Sequence, residues 1–128
     1  LQNLAKTPFQ YEDLRRAALF SALTGLRFSD VEKLIWSEIQ HSEEQGYYIR
    51  FKQKKTKGAE TLPISDDAFS LLGERGVDRA KVFPDLEYWQ CAFLSGWTKN
   101  AGINRKITFH CFRHTFATLQ ITLGTDIY

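Results

Sequence analysis

The sequence predicts a mainly α-helical domain broken by one small antiparallel β-hairpin or sheet. Three observations predict it. Apolar residues recur at helical spacing in two well-separated segments, Leu14, Ala18 and Ala22, then Phe109, Phe112, Phe116, Leu119 and Leu123. One stretch, Tyr47 to Lys52, alternates with a period of two. Between these, glycines and capping residues punctuate the chain at intervals that suit short helices.

Taken in order, Thr7-Pro8-Phe9-Gln10 has the form of a capping box with proline in the first turn, and the Leu14/Ala18/Ala22 helix follows. Gly25 is its expected stop. Ser29 with Glu32 makes a second capping box, opening a short helix that carries Val31, Leu34 and Ile35. In the alternating stretch Tyr47, Ile49 and Phe51 face one way, and Tyr48, Arg50 and Lys52 the other. Gln53 to Gly58 reads as a lysine-rich turn and Ala59 to Ile64 as the returning strand. Ser65-Asp66-Asp67 starts another helix, stopped around Gly73 and Gly76. Leu86 to Ala101 predicts an aromatic-rich helix closed by Gly102. Thr108 is the expected N-cap of the last helix, which Gly124 ends.

With 128 residues, 43% of them hydrophobic, the chain can bury the core of one domain. No apolar run reaches the length of a membrane span, and Leu1 to Gln10 lacks the basic and apolar regions of a signal peptide. Cys91 and Cys111 fit neither a disulfide framework nor a zinc spacing, so a reduced, cytoplasmic setting is expected. The net charge of +2 does not by itself announce a nucleic-acid binder, but the distribution is uneven. The absence of methionine at a chain starting with Leu1 fits a piece of a longer protein.

Three places carry candidate chemistry. Arg27 lies between a helix stop and a helix start, close to where free N–H groups attract anions, although taken alone it also reads as a solvated loop arginine. Lys52, Lys54, Lys55 and Lys57 cluster at the hairpin tip, either as a positive finger for phosphates or as a soluble turn. In Thr108-Phe109-His110-Cys111-Phe112-Arg113-His114, the spacing puts His110 and Arg113 on one helix face with His114 beside them. Both histidines also read as structural. A His-x-x-x-His pair can take zinc, but Cys111 stands where a zincin needs glutamate and no third ligand is evident, so no metal is expected.

The order and combination of these signals resemble the tyrosine recombinases of the phage integrase family. Thr24-Gly25-Leu26-Arg27-x-Ser29-Asp30 is similar to the family's first box, and the lysine hairpin ending in Leu62-Pro63-Ile64 is similar to its β2–β3 turn. Thr108-Phe109-His110-x-x-Arg113-His114-Thr115 resembles the opening of its second box and is the most specific of the three. The resemblance runs from about Thr7 to Gly124 and implies the family's catalytic-domain fold. It makes Arg27 and Arg113 the phosphate-clamping arginines, His110 the histidine of His-x-x-Arg, and Lys55 the hairpin lysine, with Lys54 and Lys57 close competitors. Asp30 matches an acidic position bracing the first arginine, and His114 a second, supporting histidine. Lys52, Lys54 and Lys57 are then DNA contacts.

The implied chemistry is site-specific recombination through a 3′-phosphotyrosyl intermediate. Two guanidiniums stay charged at any working pH and meet the non-bridging oxygens of the phosphodiester with paired bonds, so neither metal nor nucleotide cofactor is required. A tyrosine attacks phosphorus, a lysine protonates the leaving 5′-oxygen, and a histidine handles the nucleophile's proton. The implied partners are double-stranded DNA and other recombinase protomers in a synaptic complex. The match departs at one place. The family's His/Trp box and nucleophilic tyrosine follow the second arginine, whereas only 15 residues follow Arg113, and Trp97 precedes it. Tyr128 is too near Arg113, and Tyr11, Tyr47, Tyr48 and Tyr88 precede the box, so none is assigned as nucleophile. Residues 1–128 are therefore expected to be a catalytic-domain fragment without the N-terminal core-binding domain and the tyrosine segment. The alternative is a non-catalytic DNA-binding module derived from the same fold.

Overall fold

Helix α2 (Glu12–Thr24) runs through the centre of the molecule, with α6 (Phe109–Thr122) packed against it. The computed structural model describes residues 2–51, 60–103 and 106–122. Leu14, Ala18 and Ala22 are all fully buried, as their four-residue spacing predicts, and Ala17 and Phe20 widen the same stripe. On α6, Phe109 and Phe112 are buried, while the lower part of the predicted stripe, Phe116 to Leu123, and the Gly124 stop lie outside the described side chains or residues. Phe20 meets Phe83 with ring centroids 6.2 Å apart. Sequestering a phenylalanine of this kind contributes about 2–3 kcal/mol.

The start of α2 differs from the expectation. Thr7-Pro8-Phe9-Gln10 does not cap a helix. A short helix α1 (Gln2–Lys6) precedes it, and α2 begins at Glu12 after Tyr11, whose side chain makes no capping bond. Tertiary packing accounts for the change. Phe9 stacks on Trp97 at 5.2 Å, and the Trp97 indole N–H donates to the Thr7 carbonyl at 3.0 Å. These contacts hold residues 7–10 as a connector, and the acidic first turn, Glu12 and Asp13, compensates the N-terminal dipole of α2 instead.

Gly25 ends α2 as expected, in the left-handed region at φ 79°, with its N–H bonded to the Ser21 carbonyl at 2.8 Å. Helix α3 (Phe28–Lys33) then starts two residues before the predicted Ser29/Glu32 box. Its N-cap is Arg27, and the Asp30 carboxylate accepts the Arg27 backbone N–H at 3.4 Å. The guanidinium has no acceptor and takes no part in the cap.

Three strands, β1 (Ile39–Ser42), β2 (Gly46–Phe51) and β3 (Glu60–Pro63), form one antiparallel sheet in that order. β1 is an addition to the predicted hairpin. Its Ile39 pairs with Ile49, which pairs in turn with Leu62, so a single row of aliphatics ties the sheet to the core. Tyr47 stacks flat on Phe69 of α4 (Asp66–Ser70), ring centroids 3.7 Å apart. Ser65 caps α4 by accepting the Ala68 N–H at 3.1 Å, as its position predicts.

The predicted Leu86–Ala101 helix is divided. Residues Tyr88–Phe93 form a 3-10 helix, and only α5 (Leu94–Asn100) is α-helical. Buried Gln90 explains the tighter winding, because its side chain accepts the Glu87 N–H at 3.2 Å and donates to the Asp85 carbonyl at 3.0 Å. Among the described residues, no helix is long and apolar enough to cross a membrane.

Candidate active site

The turn between α2 and α3 and the first turns of α6 meet at one open cleft of about 590 Å³. Arg27, His110 and Arg113 all line it, although 86 positions separate the two arginines. What joins the two segments is Arg113 itself. It is half-buried, and its Nε donates to the Gly25 carbonyl at 2.9 Å. That carbonyl is held in place by the left-handed Gly25 and by the Ser21 hydroxyl, which donates to the Leu26 carbonyl at 2.6 Å. The Arg113 guanidinium therefore rests on the backbone that carries Arg27, and its remaining N–H donors bond no other described residue.

Arg27 is exposed and, among the described residues, its guanidinium has no carboxylate partner. Asp30 reaches the Arg27 main chain rather than its side chain. His110 is exposed at the mouth, its ring edge-on to His114 with centroids 4.5 Å apart. Among the described residues no three candidate ligands cluster as a metal site. Lys52, Lys54, Lys55 and Lys57 lie outside the described residues.

Two further contributions to the cleft escaped the sequence reading. Lys106 lines it, exposed, in the segment that leads into α6. The neighbouring Ile107 is pinned because the Ser95 hydroxyl accepts its N–H and donates to its carbonyl, each at 3.3 Å. A lone lysine outside any motif gives no sequence signal. Tyr88 and Trp89, on the 3-10 helix, complete the lining. The sequence places them in an aromatic-rich helix without assigning them to a site. Among the described residues no carboxylate lines the cleft, although the Glu87 carboxylate bonds Trp89 at its aromatic side, and Arg27, Lys106 and Arg113 give it a positive field suited to an anion. Cys91 also borders it, and burial pushes its thiol up to about 11, so it is neutral near pH 7.

The family model described as the phage integrase family matches residues 1–127, almost the whole chain. The chain belongs to the phage integrase family. No individual curated protein matches it. Membership places it among the tyrosine recombinases, the enzymes of site-specific DNA recombination, and agrees with the helical architecture and small antiparallel sheet described above. DNA is accordingly the partner class of this phage integrase family member.

Proposed function

We propose that the cleft binds the scissile phosphodiester of a recombination site. Arg27 and Arg113 hold its two non-bridging oxygens and stabilise the charge that grows there in the transition state. Tyrosine oxygen attacks phosphorus. The O–P bond forms as the P–O5′ bond breaks, His110 accepts the tyrosine proton, and Lys55 gives a proton to the leaving oxygen. The product is a 3′-phosphotyrosyl link that a second 5′-hydroxyl can reverse. Lys52, Lys54 and Lys57 add phosphate contacts, His114 supports the His110 ring, and no metal or cofactor takes part. In this reading residues 1–128 are a fragment of the catalytic domain, the nucleophile is none of Tyr11, Tyr47, Tyr48, Tyr88 and Tyr128, and synapsis brings further protomers. The protein acts on DNA in the cytoplasm as the recombinase of a mobile element.

The observation that supports this most is the convergence of Arg27, His110 and Arg113 on one cleft that, among the described residues, no carboxylate lines. The test pairs binding with chemistry. Duplex binding followed by fluorescence anisotropy across a salt series should steepen with every phosphate engaged, and Arg27→Ala should lower the salt slope by about one. A nicked suicide substrate should give no covalent adduct with this chain. In a protein that carries the tyrosine, Lys55→Ala should slow cleavage far more than it weakens binding. An adduct on the chain itself would overturn the assignment of the nucleophile, and Tyr88→Phe would then show whether the cleft's own tyrosine is responsible. Binding without cleavage in the tyrosine-bearing protein would favour a DNA-binding module instead.

A further inference from the structure

The cleft is cationic over one part of its lining and aromatic over another. Tyr88 is 70% exposed and Trp89 55% exposed, whereas Trp36 and Trp97 are only 3% and 1% exposed. Exposed aromatics of this size are normally paired with something. These two are also held in place. The Trp89 indole N–H donates to a Glu87 carboxylate oxygen at 2.8 Å, and the ring meets Tyr11 at 5.4 Å and 84°. Tyr88 meets Phe28 at 5.3 Å and 89°, and Phe28 in turn meets Phe109 beside His110. With more than half of each residue's surface exposed, both offer ring surface to the cleft from a held position.

We propose that Tyr88 and Trp89 form a stacking platform for an unpaired DNA base next to the phosphate held by Arg27 and Arg113. The inference rests on the phosphate-binding reading of the cleft and goes beyond it. An apolar protein segment laid on this wall would also have to bury Arg27, Lys106 and Arg113 without a carboxylate to meet them, which is unfavourable. A nucleotide satisfies both parts at once, its phosphate on the cations and its base on the rings. Paired bases inside a duplex have no free face to offer, so the platform discriminates in favour of DNA with a base out of the stack. Strand exchange creates such bases, because swapping strands beside a break requires local unpairing. Lys106, next to the platform, contacts the following phosphate.

The experiment compares three fluorescently labelled duplexes: fully paired, with one extra unpaired base, and with the same extra nucleotide lacking its base. The wild-type chain should bind the unpaired-base duplex about tenfold more tightly than the other two. Intrinsic fluorescence should be quenched by that duplex alone, and the quenching reports Trp89 because the other two tryptophans are buried. Trp89→Phe should keep most of the preference. Trp89→Ser and Tyr88→Ser should each bring the ratio of unpaired-base to base-free affinity from about tenfold down to about one, with circular dichroism and melting showing that the variants fold. Equal affinity for the unpaired base and its base-free counterpart would overturn the proposal, since flexibility alone would then explain the gain. So would binding without quenching, which would leave the wall to a protein partner. If the paired duplex fails to bind, the phosphate-binding reading itself falls. If it binds and the unpaired base confers nothing, only the platform falls.

Discussion

Replacing each arginine of the cleft by lysine separates the folding role of one from the shared binding role of both. Lysine keeps the positive charge but loses the planar fork, and it carries a methylene where arginine carries Nε. At position 113 that removes the donor to the Gly25 carbonyl, a 2.9 Å bond in a half-buried setting. A hydrogen bond involving a charged group contributes about 1.5–3 kcal/mol. Partial exposure argues for the lower end, so Arg113→Lys should destabilise the chain by about 1.5 kcal/mol, or about 5 °C in melting temperature for a domain of this size. Arg27 is exposed, and its guanidinium has no partner among the described residues, so Arg27→Lys should melt within about 1 °C of the wild type. Both variants should bind duplex DNA more weakly, because the bidentate grip is lost, yet keep the wild-type salt slope, because the charge is kept. Calorimetry and a salt-titrated anisotropy series read the two quantities independently. If Arg113→Lys melts with the wild type, or Arg27→Lys melts equally low, the claim that Arg113 mechanically joins the two halves of the cleft is wrong.

Other perturbations probe the frame around the site. Trp97→Ala should cost about 3–5 kcal/mol in chemical denaturation, since it empties a stack between Phe9 and Phe112 and removes the bond to Thr7; a loss below about 1 kcal/mol would mean that residues 7–10 are not anchored there. Asp30→Asn should cost only about 0.5 kcal/mol in chemical denaturation, because its bond to the Arg27 N–H is long at 3.4 Å; a loss above about 2 kcal/mol would mean that the cap contributes more than this bond. Cys91 has its thiol raised from 9.0 to about 11, so in a Cys111→Ser background its alkylation at pH 8 should run about a hundredfold slower than that of a free thiol. The same shift means that stability associated with Cys91 is full below about pH 9 and is lost as pH rises through about 11; a pH-independent melting curve across that window would contradict it.

Much of the site is legible in the chain because its parts sit at element boundaries, where local chemistry is decisive. Gly25 can only be a stop, being the residue that tolerates φ 79°, and Arg27 follows it at the mouth of the next helix. His110 and Arg113 share a helix face by spacing alone. The errors have a common cause in long-range packing. Trp97 captures Thr7 and Phe9 from 90 residues away in sequence, which no local capping rule anticipates. Buried Gln90 bonds the Asp85 carbonyl and the Glu87 N–H where the segment Tyr88–Phe93 winds as a 3-10 helix, which the expected continuous helix over Leu86–Ala101 does not include. β1 was missed because Ile39-Gln40-His41-Ser42 has only one strongly apolar residue, and its pairing with β2 does what periodicity does not announce.

The cleft is consequently not a property of either motif. The first box ends a helix and the second begins one, and each alone presents a cation to water. They become one site when α6 docks on α2 and Arg113 closes on Gly25, a contact spanning 88 positions. Such a contact forms only once the intervening sheet and helices have brought its ends together, so the loop-closure entropy is met by the core, chiefly Leu14, Phe20 and Phe112, rather than by the site. The site can then remain poorly neutralised. Among the described residues no carboxylate lines it beside its three cations, a destabilising arrangement that the buried apolar framework supports and that a bound phosphate would relieve. Phosphate binding and the docking of α6 are thereby linked. A ligand that bridges Arg27 and Arg113 stabilises the same interface that assembles them, and the chain should be more stable with DNA than without it.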